Sequence, residues 1–267
     1  MLVALTRAVP RTIDRCELTH LAREPIDHGR AVREHEAYED ALRALGCMIQ
    51  RLPDLPENPD SVFVEDTAVV VDTIAVIARP GAPSRRGEVH STADALARYR
   101  PLAFIEPPGT LDGGDVLVTP GVVFVGVSGR TNPDGARQLA AILAPHGFQV
   151  VPVAVTGCLH LKSAVTCLPP EGGNYRDREN GGALLINPRW VDASHFAAFD
   201  LIEVDPTEPE AANVLLVADR VICAEAYPKT RQRLEAARIA TVTVPAGELA
   251  KAEGGLTCGA IIVNVFA

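Results

Sequence analysis

One hydrophobic pattern recurs along this chain and restricts the folds open to it. Short apolar runs come in pairs, each followed by a helical or polar stretch and a further short strand. The pairs are 68–71 with 74–77, 115–118 with 122–126, 160–166 with 183–187, and 213–217 with 221–223. A fifth run, 257–265, has the N-terminal strand at 2–5 as its partner. Equivalent points return every ~45–55 residues, a spacing that marks an array of supersecondary units. A strand-strand-helix-strand unit of this size cannot bury its own sheet face. Five of them around an axis bury one another and bring their loops together at a central pit. The same spacing also fits an ordinary α/β domain with evenly placed strands.

Helix signals fall between these runs. Residues 27–45 predict a helix ended by Gly46, with Ala31, His35, Tyr38, Leu42 and Leu45 on its buried stripe. A second helix is expected near 84–99. A third begins at Asn132, with Pro133 in its first turn, carries Leu139 and Leu143 inward and stops at Gly147. The proline-rich segment 53–60 is too short to argue for two domains, so 1–267 reads as a single catalytic domain.

Composition removes several function classes. A net charge of -9 argues against nucleic acid and anionic membrane surfaces as partners and is compatible with a cationic small molecule. The six cysteines are scattered with no CxxC pair, which gives neither a zinc ribbon nor a thioredoxin motif. The first residues lack a signal-peptide layout and no apolar run reaches membrane-spanning length. The expectation is a reduced, soluble, cytoplasmic protein, a monomer or homodimer, with no cofactor.

Several stretches are too polar for the strands expected to bear them. In 60–67, Asp60 and Asp66 share strand parity and would face one side, with Glu65 on the other. Two carboxylates facing one way in a valine-rich run repel each other and call for a cation between them, unless they sit at exposed strand ends. Asp112-Gly113-Gly114 is a turn ahead of a strand, with Asp112 available to a ring nitrogen. His160 stands where a loop enters an apolar strand, at a place equivalent to Asp66, Asp115 and Cys258; the other six histidines read as structural. Arg85 and Arg130 follow outgoing strands, near one rim, and arginine grips carboxylates in bidentate fashion. Cys258 is preceded by Gly254-Gly255 and followed by Gly259, which leaves it uncrowded. It is either an inert buried thiol or a nucleophile.

The motifs Phe63-Val64-Glu65-Asp66, Arg79-Pro80-Gly81-Ala82-Pro83-Ser84-Arg85-Arg86, Leu111-Asp112-Gly113-Gly114-Asp115, Arg130-Thr131-Asn132, Leu159-His160-Leu161-Lys162-Ser163 and Leu256-Thr257-Cys258 occur in order. Over nearly its whole length the sequence resembles the dimethylarginine dimethylaminohydrolases of the pentein, or guanidine-modifying, superfamily. The resemblance implies an α/β fold, a five-bladed propeller with pseudo-fivefold symmetry. It implies hydrolysis of asymmetric dimethylarginine and monomethylarginine to L-citrulline and dimethylamine or methylamine, through a covalent cysteine thiouronium. Cys258 would be the nucleophile, His160 the general acid and base, and Asp112 its orienting partner. Asp60 and Asp66 would meet the guanidinium with Glu65 nearby, and Arg85 and Arg130 the substrate carboxylate. Main-chain groups of Leu18 and Ala252, with Glu253 close by, would receive the α-amino group.

Two features depart from the family. Gly259 stands where some relatives carry a second cysteine, and the polar excursion 171–182 is longer than expected. Alternatives remain: an arginine deiminase or amidinotransferase activity on the same scaffold, or a non-catalytic binder of cationic amino acids. Cys258 and His160 are too few for a structural zinc site, although they could take an adventitious inhibitory zinc.

Overall fold

A computed structural model describes residues 1–169 and 182–265, so the excursion noted at 171–182 lies outside the described residues except for Gly182. In chain order the elements are β1 (Leu2–Thr6), α1 (His28–Ala44), β2 (Cys47–Arg51), β3 (Ala68–Val70), β4 (Ala75–Ile77), α2 (Val89–Leu96) and β5 (Leu102–Phe104). Next come β6 (Val116–Val118), β7 (Val122–Val127), α3 (Pro133–Leu143), β8 (Gln149–Ala154), α4 (Leu161–Ala164), β9 (Val165–Leu168), β10 (Ala183–Ile186) and β11 (Asp200–Glu203). The last are β12 (Leu215–Val217), β13 (Arg220–Ala224), α5 (Pro228–Ala236), β14 (Thr241–Val244), α6 (Gly247–Ala250) and β15 (Ile261–Asn264).

The strands form five three-stranded sheets among the described residues: β15-β1-β2, β3-β4-β5, β6-β7-β8, β9-β10-β11 and β12-β13-β14. Each has one topology. The first strand pairs antiparallel with the second, and the second pairs parallel with the third after a crossover. The crossover is an α-helix in four sheets and a 3-10 turn, Ala193–Phe196, in the sheet of β9. Here are the five units of the sequence pattern, and the architecture is the pentein propeller. The last strand, β15, completes the blade begun by β1, with Leu2 opposite Asn264 and Leu5 opposite Ile261.

The core sits between blades. Val69 and Val76 of one sheet pack with Val116, Val123 and Leu139 of the next. Leu117 and Phe124 pack with Val165, Leu184 and Phe196. Leu168 and Leu185 meet Val221 and Leu234, and Val217 and Ile222 meet Ala4, Tyr38 and Leu42. Val3 and Leu5 close the ring against Val64, Ala75 and Ile77. Burial at ~25 cal/mol per Å² is therefore gained only when neighbouring blades dock. The inner strands β3, β6, β9, β12 and β15 line an axial cavity of about 280 Å³. Among the described residues no helix is long and apolar enough to cross a membrane.

Local signals hold well at helix ends. Asp27 caps α1 by accepting from the Arg30 N–H, and Asn132 caps α3 by accepting from the Gly135 N–H, with Pro133 at its start. Other expectations need correction. The segment 62–64 is not a strand but a turn leading into the 3-10 helix Val64–Thr67, closed by local bonds such as Phe63 N–H to the Asp60 carbonyl. The expected helix near 84–99 is the 3-10 turn Pro83–Arg85 followed by the shorter α2. His160 does not enter a strand directly: it precedes the single turn α4, and β9 follows. Cys258 lies in a turn ahead of β15 rather than within the strand. In every blade the approach to the inner strand thus curls, and that curl carries the polar side chains.

Candidate active site

The approach segments bring Asp60, Asp66, Arg85, Arg130, His160, Ala252, Glu253 and Cys258 around one narrow pit of about 10 Å³. Asp60 and Asp66 share it, although the strand parity expected to place them together is absent. Glu17, Phe63 and Leu159 also line it.

His160 is the most constrained group. Its Nε2 lies 3.1 Å from Asp112 Oδ2 and its Nδ1 3.7 Å from Asp66 Oδ1, with the ring buried. Burial alone would lower the imidazole pKa, but Asp66, the bond to Asp112, and Asp115 outweigh it and hold it up at about 9. Asp112 is fixed in turn: its Oδ1 accepts from the Gly81 N–H at 2.9 Å, and its own N–H donates to Thr131 Oγ1. Asp115 does not line the pit but positions the histidine turn, accepting from the Leu161 N–H at 2.9 Å and from Ser128 Oγ at 2.6 Å. Burial pushes its carboxyl up to about 6 against the pull of His160. The Asp112-Gly113-Gly114 turn, a weak signal by itself, acquires a reason. A Cβ on Gly114 would lie 2.6 Å from His160 Nδ1 and 2.7 Å from Asp66 Oδ1.

Cys258 is buried, and its thiol is pushed up to about 12 by burial first, then by Glu65 and Asp66, while the Gly255 N–H and Lys162 oppose this. The Gly255 N–H points at its sulfur at 3.4 Å. The resting pair is therefore a neutral thiol and an imidazolium. Burial would raise Asp66, yet His160 and Arg85 outweigh it and keep this carboxylate below its usual range. Asp60 is pushed up to about 6 by burial, against Arg85, and its carboxylate accepts from the Glu17 N–H.

The two arginines differ. Arg85 is buried, with Nη1 2.5 Å from Asp66 Oδ2, Nη2 2.9 Å from Glu88 Oε2, and further bonds to the carbonyls of Asp60 and Phe63. It lines the pit with Arg130 while serving as counter-ion to Asp66 and Glu88. Arg130 is half-buried and bonds Thr19 Oγ1 at 3.2 Å.

Glu65 lines the axial cavity instead of the pit. There it pairs with Lys162 and accepts from Thr257 Oγ1, while its N–H donates to the Cys258 carbonyl at 3.1 Å. Leu18 lies outside the pit lining, but its neighbours are tied to it. The Glu253 carboxylate gathers the backbone N–H groups of Thr19, His20 and Leu21.

Asn213 was not singled out from sequence. It leads into β12 from the fourth blade. Its Nδ2 donates to the Lys162 carbonyl at 3.1 Å and to Thr257 Oγ1 at 3.2 Å, and its Oδ1 accepts from the Thr257 N–H at 2.9 Å. One amide thus joins the histidine turn to the nucleophile turn. A Cβ on Gly255 would fall 2.3 Å from the Asn213 Cγ, which explains the glycine there. Gly259 faces Tyr38, whose hydroxyl donates to the Leu256 carbonyl at 2.9 Å.

Among the described residues, Asp66, Asp112 and His160 are grouped tightly enough to hold a metal ion; Cys258, suggested above for adventitious zinc, is not in that group. Arg85 already neutralises Asp66, and the protonated His160 lies between both carboxylates.

A propeller of this kind, with its polar chemistry gathered at the axis, defines the pentein class of guanidine-modifying proteins. The arginine deiminase family model matches residues 59–166. The N(G),N(G)-dimethylarginine dimethylaminohydrolase of Streptomyces coelicolor is 41% identical over 90% of this chain and 89% of its own length. That of Pseudomonas aeruginosa is 35% identical over 92% of each. A solved structure of the Pseudomonas aeruginosa enzyme, a cysteine-to-serine variant complexed with citrulline, superposes with a TM-score of 0.89 and 33% identity, covering 97% of this chain and 98% of that one. The chain belongs to the dimethylarginine dimethylaminohydrolase family.

Proposed function

We propose that this protein hydrolyses Nω-methylated arginines to L-citrulline and methylated amine, as one catalytic domain of the cytoplasm. The observation that carries this reading is the burial of His160 between Asp112 and Asp66 in the same pit as Cys258. Its support is the family membership and the citrulline held by the structural relative.

The guanidinium enters beside Asp66 and Asp60, and its positive charge lowers the thiol of Cys258 from its raised resting value. The thiol proton passes to solvent, and the thiolate forms a bond to the guanidinium carbon. His160, already protonated, delivers its proton to the methylated nitrogen, the C–N bond breaks and the amine leaves. The thiouronium remains on sulfur. His160, now neutral, takes a proton from water; the hydroxide adds to the carbon, the C–S bond breaks, the hydroxyl proton passes to the departing sulfur, and citrulline and the neutral thiol are released. Asp112 and Asp66 stabilise the imidazolium at both ends of the cycle. Arg130 takes the substrate carboxylate, with Arg85 behind it as counter-ion to Asp66. The backbone around Leu18 and Ala252, next to Glu253, receives the α-amino group. Glu65 acts through the backbone bond that seats Cys258.

The test is to incubate the purified protein with asymmetric dimethylarginine, monomethylarginine and arginine and to quantify citrulline, amine and ammonia. Citrulline and dimethylamine in equal amounts are expected from the first substrate. Ammonia from arginine as the dominant product would make it a deiminase, and binding without any product would make it a binder.

A further inference from the structure

A second cavity, of about 240 Å³, abuts the catalytic pit, and Leu159 and Glu253 form part of both linings. Its size approaches that of sites for compact drug-sized molecules. Trp190 and Tyr227 supply aromatic surface, and Leu21, Leu256 and Cys158 supply apolar surface. Trp190 is seated rather than loose. A Cβ on Gly157 would lie 2.8 Å from its Cδ1, so the indole rests on bare backbone, and the Trp190 carbonyl accepts from the Thr156 N–H at 3.1 Å. The formal charges on the lining are of one sign. Glu210 and Glu253 contribute carboxylates, and among the described residues of the lining none is lysine or arginine. The Tyr227 hydroxyl feels that field: burial, with Glu210 and Glu208 adding, pushes it up to about 12. Aromatic faces beside carboxylates attract cations that carry apolar groups, since the ring quadrupole and the negative charge act in the same direction.

We infer that this cavity is a separate binding site for an organic ammonium compound with an apolar or aromatic body, its cationic head toward Glu210 and its body against Trp190 and Tyr227. An occupant would also touch the Gly254-Gly255 turn, whose Gly255 N–H bonds the Cys258 sulfur. The site therefore adjoins the nucleophile without being part of the pit. The inference stands independently of the reaction proposed above.

Trp190 is the only tryptophan of the sequence, so the tryptophan fluorescence of the protein comes from the lining of this cavity. Titration of the full chain with benzyltrimethylammonium should change that emission saturably, and the Cys258→Ser variant should behave in the same way. Glu210→Gln and Tyr227→Leu should each weaken binding about tenfold, the size of a cation–aromatic or charge contribution. Neopentylbenzene, the neutral isostere, should bind at least about tenfold less tightly on the same reasoning. Circular dichroism checks that both variants are folded. Absence of a saturable change, an equal affinity for the neutral isostere, or an unchanged affinity in folded Glu210→Gln would each overturn the inference.

Discussion

His160 Nε2 lies 3.1 Å from Asp112 Oδ2, and the opposite nitrogen of the same ring faces Asp66 Oδ1 at 3.7 Å. An imidazole clasped at both ends by carboxylates is held charged, up to about 9, although burial works against it. Because this folded value lies above the ordinary ~6.5, the folded protein binds the proton more tightly than the unfolded chain. The resulting stabilisation is complete below about pH 6.5 and is lost as pH rises through about 9. Denaturant melts across that window should show stability falling with pH, and His160→Gln should flatten the fall. An equal slope in both proteins would remove His160 as its source.

Cys258 gives a prediction for chemistry in place of stability. Its thiol, raised to about 12, should contribute almost no thiolate absorbance at neutral pH in the free protein. Millimolar guanidinium should bring that signal to lower pH, measured as wild type minus Cys258→Ser. Cys258→Ser itself should reduce turnover by about 10⁴-fold or more with its thermal melt nearly unchanged. Trapping of the intermediate on another cysteine would contradict the assignment.

Arg85 and Arg130 should separate cleanly on substitution. Arg85→Ala leaves Asp66 and Glu88 buried without their counter-ion, and loss of one partner from a buried pair costs about 3–5 kcal/mol. A large drop in melting temperature is expected. Arg130→Ala should alter stability by less than about 0.5 kcal/mol. Its KM should rise about tenfold or more through the lost carboxylate contact. Equal KM effects with no stability difference would show that both arginines clamp substrate in the same way.

Asn213→Ala should lower kcat more than it raises KM, by about 10–100-fold, because it loosens the registry between two catalytic turns while leaving the substrate groups in place. Asn213→Asp retains the acceptor for the Thr257 N–H and loses the two donors, so it should fall between alanine and wild type. A pure KM effect in both variants would contradict a positioning role.

Gly114→Ala is expected to damage catalysis severely, because the added methyl group would meet the His160 ring and the Asp66 carboxylate. The histidine has to tilt off Asp112, and the pH dependence of stability described above should weaken in parallel. Wild-type activity in this variant would show that the close approach is unnecessary.

The sequence carried the repeating unit, the cap at Asn132 and the pairing of both ends into one blade, because hydrophobic period and capping chemistry are local. It carried the motif residues as well, and Cys258, His160, Asp66 and Arg130 do share a pit. It misled at 62–64, where a valine-rich run reads as strand. There the chain turns instead, offering the Ser61 carbonyl to Arg7 and the Asp60 and Phe63 carbonyls to Arg85. The ion pairs of Arg85 were not legible, because nothing local shows that Asp66 and Glu88 will enclose it. Glu17 was missed in a loop without periodicity, and Asn213 at the head of a periodic run. For Asn213 a signal existed: it is the polar residue ahead of the fourth inner strand, a position where other blades place their chemistry.

The blade that bears the nucleophile is the one assembled from both ends of the ring, and the Met1 amino group bonds the Val265 carbonyl across 264 positions of sequence. Contacts of such long separation carry a large loop-closure cost. The other four blades are each built from one continuous stretch of chain, whereas this one pairs β1 with β15. Until it docks, Cys258 is an ordinary accessible thiol with a pKa near 8.5, open to oxidants. Ring closure therefore takes the thiol out of water and into the surroundings that hold it neutral.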